Sequence, residues 1–206
     1  PGSLKTKAGG NFSVYSPFKK KWFSELEDSD LELIAEPKDV KESSIENTNL
    51  EKFLNEFSNH NDHLWPPGED FIKKNIEEFL KNKGTDYKEE RNFPALNSTS
   101  KLSPYLNSGI VSAKWCLIKA KESNNGKLDD GDKGIVHWVS EILWREFYRH
   151  IIFNFPKVSK GLPFIDYTKN IPWNEDNSSL QRWKEGKTGI PIVDAGIREM
   201  LATGWM

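Results

Sequence analysis

"SEILWREFYRH" (Ser140 to His150) sets Glu141, Arg145, Glu146 and Arg149 among Trp144, Phe147 and Tyr148 in one uninterrupted stretch. It lies within a longer run, Gly134 to Asn154, that has no interior proline or glycine and is closed by Pro156. Such a run predicts the longest helix of the chain. Advancing about 100° per residue from Trp138 brings Ile142, Arg145 and Arg149 within about 40° of it, as one stripe. Trp144, Tyr148, Glu141 and His137 gather into a second stripe beside the first, and Val136, Val139, Leu143 and Phe147 fall on the far side as the core face. Glu141 and Arg145 stand at i and i+4, a spacing that allows them to pair. Two readings fit this pattern. One is an ordinary amphipathic helix with a salt-bridged solvent face; the other is a platform that stacks flat rings and supplies donors and acceptors at their edges, with two stripes for two ligands.

The flanking sequence is also helical. In "GEDFIKKNIEEFLKNKG" (68–84), Phe71, Ile72, Ile76, Phe79 and Leu80 recur at helical spacing, and Gly84 suits the stop. "VSAKWCLIKAKESNNG" (111–126) begins a helix with Ser112 as N-cap and ends in an Asn-Asn-Gly turn. "SSLQRWKEG" (178–186) fits a short helix capped by Ser178 or Ser179, and "IPIVDAGIREMLATG" (190–204) has Pro191 near its first turn and Gly204 just past its end. Near the start, "NFSVYSPFKKKWF" (11–23) alternates from Phe12 to Tyr15 as a short strand does, then meets Pro17. The acidic run at 25–47 reads as a linker. The expected fold class is therefore mainly α, preceded by a remnant of something else. The chain opens in mid-loop and stops directly after a helix stop, with Trp205 and Met206 at the end, which reads as a piece of a longer protein.

A second signal is "NSTSKLSPYLNSG" (97–109), where Ser103 and Pro104 look like an N-cap and a preorganised first helical residue. Free backbone N–H groups would then face Thr99 to Leu102, and with the hydroxyls and Lys101 they would make a diphosphate cradle. The plainer reading is a capped helix after a Ser/Thr loop.

Composition excludes several classes. The 206 residues are 36% hydrophobic and 12% aromatic, enough for one ordinary domain or a piece of a larger one. No apolar run is long enough for a membrane span or a signal peptide, so the expectation is a soluble, intracellular protein. A single cysteine, Cys116, rules out an internal disulfide or a cysteine-based zinc cluster. With a net charge of -2, any affinity for nucleic acid must come from a local patch. Eight tryptophans are unusual, and tryptophan stacks on flat ligands as well as filling cores.

Three segments occur in order, "YKEERNFPALNSTSKLSPYLNSGIVS" (87–112), "WVSEILWREFYRH" (138–150) and "LQRWKEGKTGIPIVDAGIREMLATGWM" (180–206). Together they resemble the flavin-binding domain of the DNA photolyase and cryptochrome family, over essentially the whole chain. The resemblance implies the first half of that family's helical FAD-binding catalytic domain from about residue 45, with residues 1–44 as the end of its α/β antenna domain and the interdomain linker. It implies FAD as cofactor, with an antenna chromophore of folate or deazaflavin type belonging to the full-length protein only. Tyr87, Thr99, Ser100, Lys101, Leu102, Ser103, Trp138 and Arg145 match positions that hold FAD. Glu141 and Trp144 match residues facing a pyrimidine dimer flipped out of DNA, while Arg91, Arg145 and Tyr148 match positions near the DNA surface. Trp173 matches the solvent-side member of a tryptophan chain that reduces the flavin.

The chemistry implied is light-driven electron transfer from reduced FAD to cyclobutane pyrimidine dimers, which splits them. "WREFYRH" leans toward the dimer-repair branch, class I. The alternatives are a cryptochrome-type photoreceptor and an inactive remnant lacking half the cavity. Lys101 stands where the family usually has arginine, which keeps the charge and loses bidentate phosphate geometry. The expected partner is damaged DNA, without a membrane or a second subunit. The expected compartment is the nucleus, or also the mitochondrion, in a eukaryote, and the cytoplasm in a bacterium.

Overall fold

Caps and breakers divide the described residues into eight α-helices, with no strand among them. The computed structural model describes residues 2–35, 52 and 64–205. The expected boundary between residues 44 and 45, most of the acidic linker and Met206 lie outside them. The helices are α1 (Tyr15–Glu25), α2 (Glu69–Asn82), α3 (Tyr87–Glu90), α4 (Ser103–Ser108), α5 (Ala113–Ser123), α6 (Lys133–Asn154), α7 (Asn177–Lys184) and α8 (Pro191–Thr203). They form two units, one of residues 1–41 and 68–164, the other of residues 42–67 and 165–206. None of the helices among the described residues is long and apolar enough to cross a membrane.

The first unit is built around α6. Its N-cap is Asp132, whose carboxylate accepts from the Gly134 and Ile135 amides at 2.9 and 3.0 Å. Gly134 in the first turn has a packing reason: a Cβ there would stand 2.2 Å from the Gly84 and Thr85 carbonyl oxygens. Only glycine lets α6 start this close to the turn after α2. Val139, Leu143 and Phe147 are buried as the helical pattern predicts. Leu143 and Phe147 pack with Phe12 and Phe18 in one cluster, and Phe12 meets Phe18 edge to face at 5.9 Å.

The apolar half of the first stripe is buried, while Arg149 at its end is exposed. Trp138 is 2% and Ile142 6% exposed. The reason is tertiary: α3 and α5 pack on α6 from that side while α1 packs on it as well. α2 contributes its predicted apolar face, Ile72, Ile76, Phe79 and Leu80, all buried, while Phe71 at the edge of that face is 44% exposed. Cys116 of α5 is buried, and burial pushes its thiol up to about 12, so it stays protonated and inert.

The expected strand at Phe12 to Tyr15 is instead the approach to α1. Pro17 lies in the first turn of that helix, where a backbone N–H has no intrahelical acceptor, so proline costs no bond there. A short alternation was outweighed by the helix from Tyr15 onward, in which Tyr15 and Phe18, three apart, share a face.

In the second unit, α7 is capped by Asp176 and not by Ser178 or Ser179. Its carboxylate accepts from the Ser178 amide (2.9 Å) and the Ser178 and Ser179 hydroxyls (2.8 and 2.6 Å), which hold it down at about 2. The Thr188–Gly189 turn before α8 is tied by the buried Asp194 carboxylate, which accepts from the Thr188 amide and hydroxyl and the Gly189 amide. These bonds hold the carboxyl below its ordinary range, the Thr188 hydroxyl bond foremost. α8 carries Pro191 in its first turn and ends at Gly204 with φ 74°, both as predicted. Trp65 donates its indole N–H to the Thr203 carbonyl at 2.7 Å and lies 5.4 Å from the Trp205 ring.

Candidate functional site

The Ser/Thr loop is fastened at three points of the first unit. The Trp138 indole N–H donates to the Ser100 hydroxyl at 3.1 Å in a buried bond. The Ser98 hydroxyl donates to the Glu90 carboxylate of α3, and the Lys83 ammonium donates to the Asn97 carbonyl at 2.6 Å. Leu102 is buried beneath the loop. Lys101 is exposed with φ 48°, a left-handed conformation uncommon for a side chain of this kind. Leu102 follows in the right-handed region, at φ -80° and ψ -23°. A positive-φ residue followed by a right-handed one turns successive N–H groups toward a common side, as in an anion-binding nest. Among the described residues, the N–H groups of 99–103 make no backbone bond. Ser103 is the first residue of α4 and not its cap, and no side chain caps this helix. Any anion binding here therefore comes from the loop's own curvature.

Glu141 lies at the centre of a second cluster. Its carboxylate pairs with the Arg91 guanidinium at the end of α3, and the His137 Nε2 stands 3.6 Å away. Arg91 sits over the Tyr87 ring at 5.4 Å. Tyr87 is buried against Phe79 and faces His137, with ring centres 5.7 and 6.1 Å apart. Burial works against the Arg91 charge, but the hydrogen bond to Glu141 and the charge interactions with Tyr87 and Glu141 together outweigh it, and the guanidinium is held still more firmly protonated. Burial, with Arg91 next, lowers His137 from the ordinary imidazole range, so it is neutral at pH 7 and Arg91 is the standing cation. The expected Glu141–Arg145 pair does not form. Arg145 donates instead to the Leu106 carbonyl at 3.1 Å. An i, i+4 pair on one helix is weak, and both partners here find acceptors or donors on other elements.

Trp144 is half-buried. Tyr15 of α1 stacks on it, ring centres 3.6 Å apart and planes at 12°. Phe147 meets it edge-on at 5.7 Å, and the exposed Tyr148 ring lies offset at 5.7 Å and 26°. The indole expected as a stacking wall thus has one face already covered. Arg145 and Ile142 line a cleft of about 710 Å³ with Phe18, Trp22, Arg149 and His150; the His150 Nε2 is buried there without a hydrogen bond. Trp173 belongs to the second unit, where it is 79% exposed.

The structure thus joins Ser100 to Trp138, and Tyr87 and Arg91 to Glu141, all around one side of α6. Several contributors escaped sequence reasoning, among them Tyr15, Glu90 and the pinning residue Lys83. A helical reading of 11–23 would have put Tyr15 in reach of α6, whereas nothing local marks Lys83.

A family model described as the FAD binding domain of DNA photolyase matches residues 138–206. The chain is 36% identical over its full length to the deoxyribodipyrimidine photo-lyase of Neurospora crassa, covering 36% of that protein. It is 35% identical to the Escherichia coli protein of the same name, again over its full length and 43% of that relative. It therefore spans about two fifths of the relatives it matches. A class III photolyase from Agrobacterium tumefaciens superposes with a TM-score of 0.77 at 30% identity, over 99% of this chain and 42% of that one. A Synechocystis cryptochrome superposes with a TM-score of 0.59 at 29% identity, over 68% of this chain and 29% of that one.

Proposed function

The chain belongs to the DNA photolyase and cryptochrome family, and from that premise we propose that it supplies half of the catalytic domain of a deoxyribodipyrimidine photo-lyase, which splits cyclobutane pyrimidine dimers in DNA. The observation that carries this reading is the pairing of two constellations on one helix: a curved hydroxyl- and lysine-bearing loop fastened to Trp138, and the Arg91–Glu141 pair beside the Tyr15-backed Trp144.

The donor set of the loop suits a dinucleotide. Thr99, Ser103 and Lys101 carry two hydroxyls and one ammonium ion, beside backbone N–H groups that make no backbone bond among the described residues, which is what a diphosphate needs. Tyr87, Ser100, Leu102, Trp138 and Arg145 complete the assigned FAD contacts, with Trp138 and Leu102 acting from beneath as supports. Bound there, FAD supplies the light-driven one-electron chemistry, and the protein supplies position and electrostatics. Trp144 offers a flat surface to a base taken out of the duplex. Glu141, held by Arg91, accepts hydrogen bonds from the N–H edge of that base, while Arg91, Arg145 and Tyr148 lie on the DNA side. Trp173, exposed, is the solvent-side relay for flavin reduction.

Repair is favoured over a photoreceptor role by the ring and ion pair beside the flavin loop, which a purely signalling cavity does not require. The protein acts as a monomer wherever DNA is held: cytoplasm in a bacterium, nucleus or mitochondrion in a eukaryote. Flavin retention tests the cofactor half of the reading. Lys101→Glu in the full-length protein is expected to weaken FAD binding roughly tenfold, as loss of a charge-assisted contact does, with unchanged helicity by circular dichroism. Equal FAD content in variant and parent after gel filtration would reject the loop as the phosphate site.

A further inference from the structure

We infer that Tyr15 is a positioning residue for damage recognition: it locks the Trp144 indole into a fixed orientation, so that the wall on which a flipped base stacks is assembled before DNA arrives. The inference rests on the reading of Trp144 given above. Tyr15 comes from α1, 129 positions before Trp144 in the chain, and only the fold brings it to α6.

 The geometry is a two-point clasp. Ser140 and Trp144 are one turn apart on α6 and share a face. The Tyr15 ring lies on Trp144 at 3.6 Å and 12°, while its hydroxyl reaches back to Ser140, 2.9 Å from the carbonyl oxygen and 2.6 Å from the side-chain oxygen. One turn along α1, the Lys19 ammonium donates to the same Ser140 hydroxyl at 3.2 Å.

Each contact has a consequence for the indole. A stacked neighbour at van der Waals distance blocks rotation of the ring toward α1, and the hydroxyl anchor prevents the phenol from sliding off. Phe147 closes the arrangement from behind, edge-on to both rings at 5.7 Å. A wall held in this way loses little rotamer freedom when a base stacks on it, which raises affinity for the flipped base without a contact between Tyr15 and DNA.

The test measures binding of the full-length protein to a duplex carrying one thymine dimer and to the same duplex undamaged. Tyr15→Leu is expected to lower the ratio of the two affinities about fivefold, the scale of one aromatic pair. Tyr15→Phe, which keeps the stack and drops the anchor, should retain most of the ratio. In a Trp144→Ala background the Tyr15→Leu effect should vanish. A merely structural role would change the folded fraction and so lower binding to both duplexes alike, leaving the ratio unmoved. If Trp144→Ala lowers the ratio while Tyr15→Leu leaves it at the parent value, the positioning role is overturned and the Trp144 reading stands. If Trp144→Ala itself leaves the ratio unchanged, both are overturned.

Discussion

Trp144→Ala is expected to cut the preference for dimer-containing over intact duplex by roughly tenfold to a hundredfold, since stacking one base on an aromatic side chain contributes about 1–3 kcal/mol. The loss should appear in the damaged complex alone, because contacts to the phosphate backbone do not depend on the indole. FAD content should not change: the loop from Thr99 to Ser103 is fastened through Trp138, Glu90 and Lys83, none of which touches Trp144 among the contacts described. Competition between the two duplexes in a gel-shift assay, with flavin absorbance of the same preparations, separates these outcomes. An unchanged preference would remove Trp144 from the recognition surface.

The second large effect concerns Trp138. It is 2% exposed and its ring lies 5.7 Å from Phe79. Trp138→Ala removes a whole indole from this core and should cost about 3–5 kcal/mol of stability, as large-to-small substitutions of buried aromatics do. Chemical denaturation reads this as a shift in midpoint. Trp138→Phe is the more informative variant. It keeps an aromatic ring but loses the N–H that holds Ser100, a loss of about 1 kcal/mol in stability. Its effect on FAD affinity should be larger than so small a change in stability explains, because the loop loses its buried fastening. A Phe variant that binds FAD as tightly as the parent would mean that Ser98 and Asn97 suffice to hold the loop.

Much of the first unit was legible in the sequence. The helices α2, α5 and α6 have long apolar periodicity and clear stop signals, and their bounds follow from them. The far side of α6 was legible for the same reason. What the pattern could not reveal was coverage: Trp138 and Ile142 lie on a stripe that also carries two arginines, and only the packing of α3 and α5 decides that the apolar half of it is buried. Local caps were the least legible. Asp176 won over Ser178 and Ser179 because one carboxylate accepts three bonds, and a neighbouring hydroxyl accepts fewer. Both members of the Trp138–Ser100 pair stood out as residues of interest, yet their contact spans 38 positions and is a product of the fold. The same holds for Tyr15 and Trp144, where α1 was hidden by a brief alternation and a proline that the first helical turn accommodates.

The most direct test of the account is blue-light repair. The FAD-loaded full-length protein, with its flavin reduced, is incubated with a duplex containing one thymine dimer, and intact thymines are counted after illumination and after the same interval in darkness. The account predicts dimer loss in the light only, abolished when FAD is withheld. Retention of every dimer under illumination, by protein that holds reduced FAD and binds the damaged duplex, would contradict it and favour a photoreceptor.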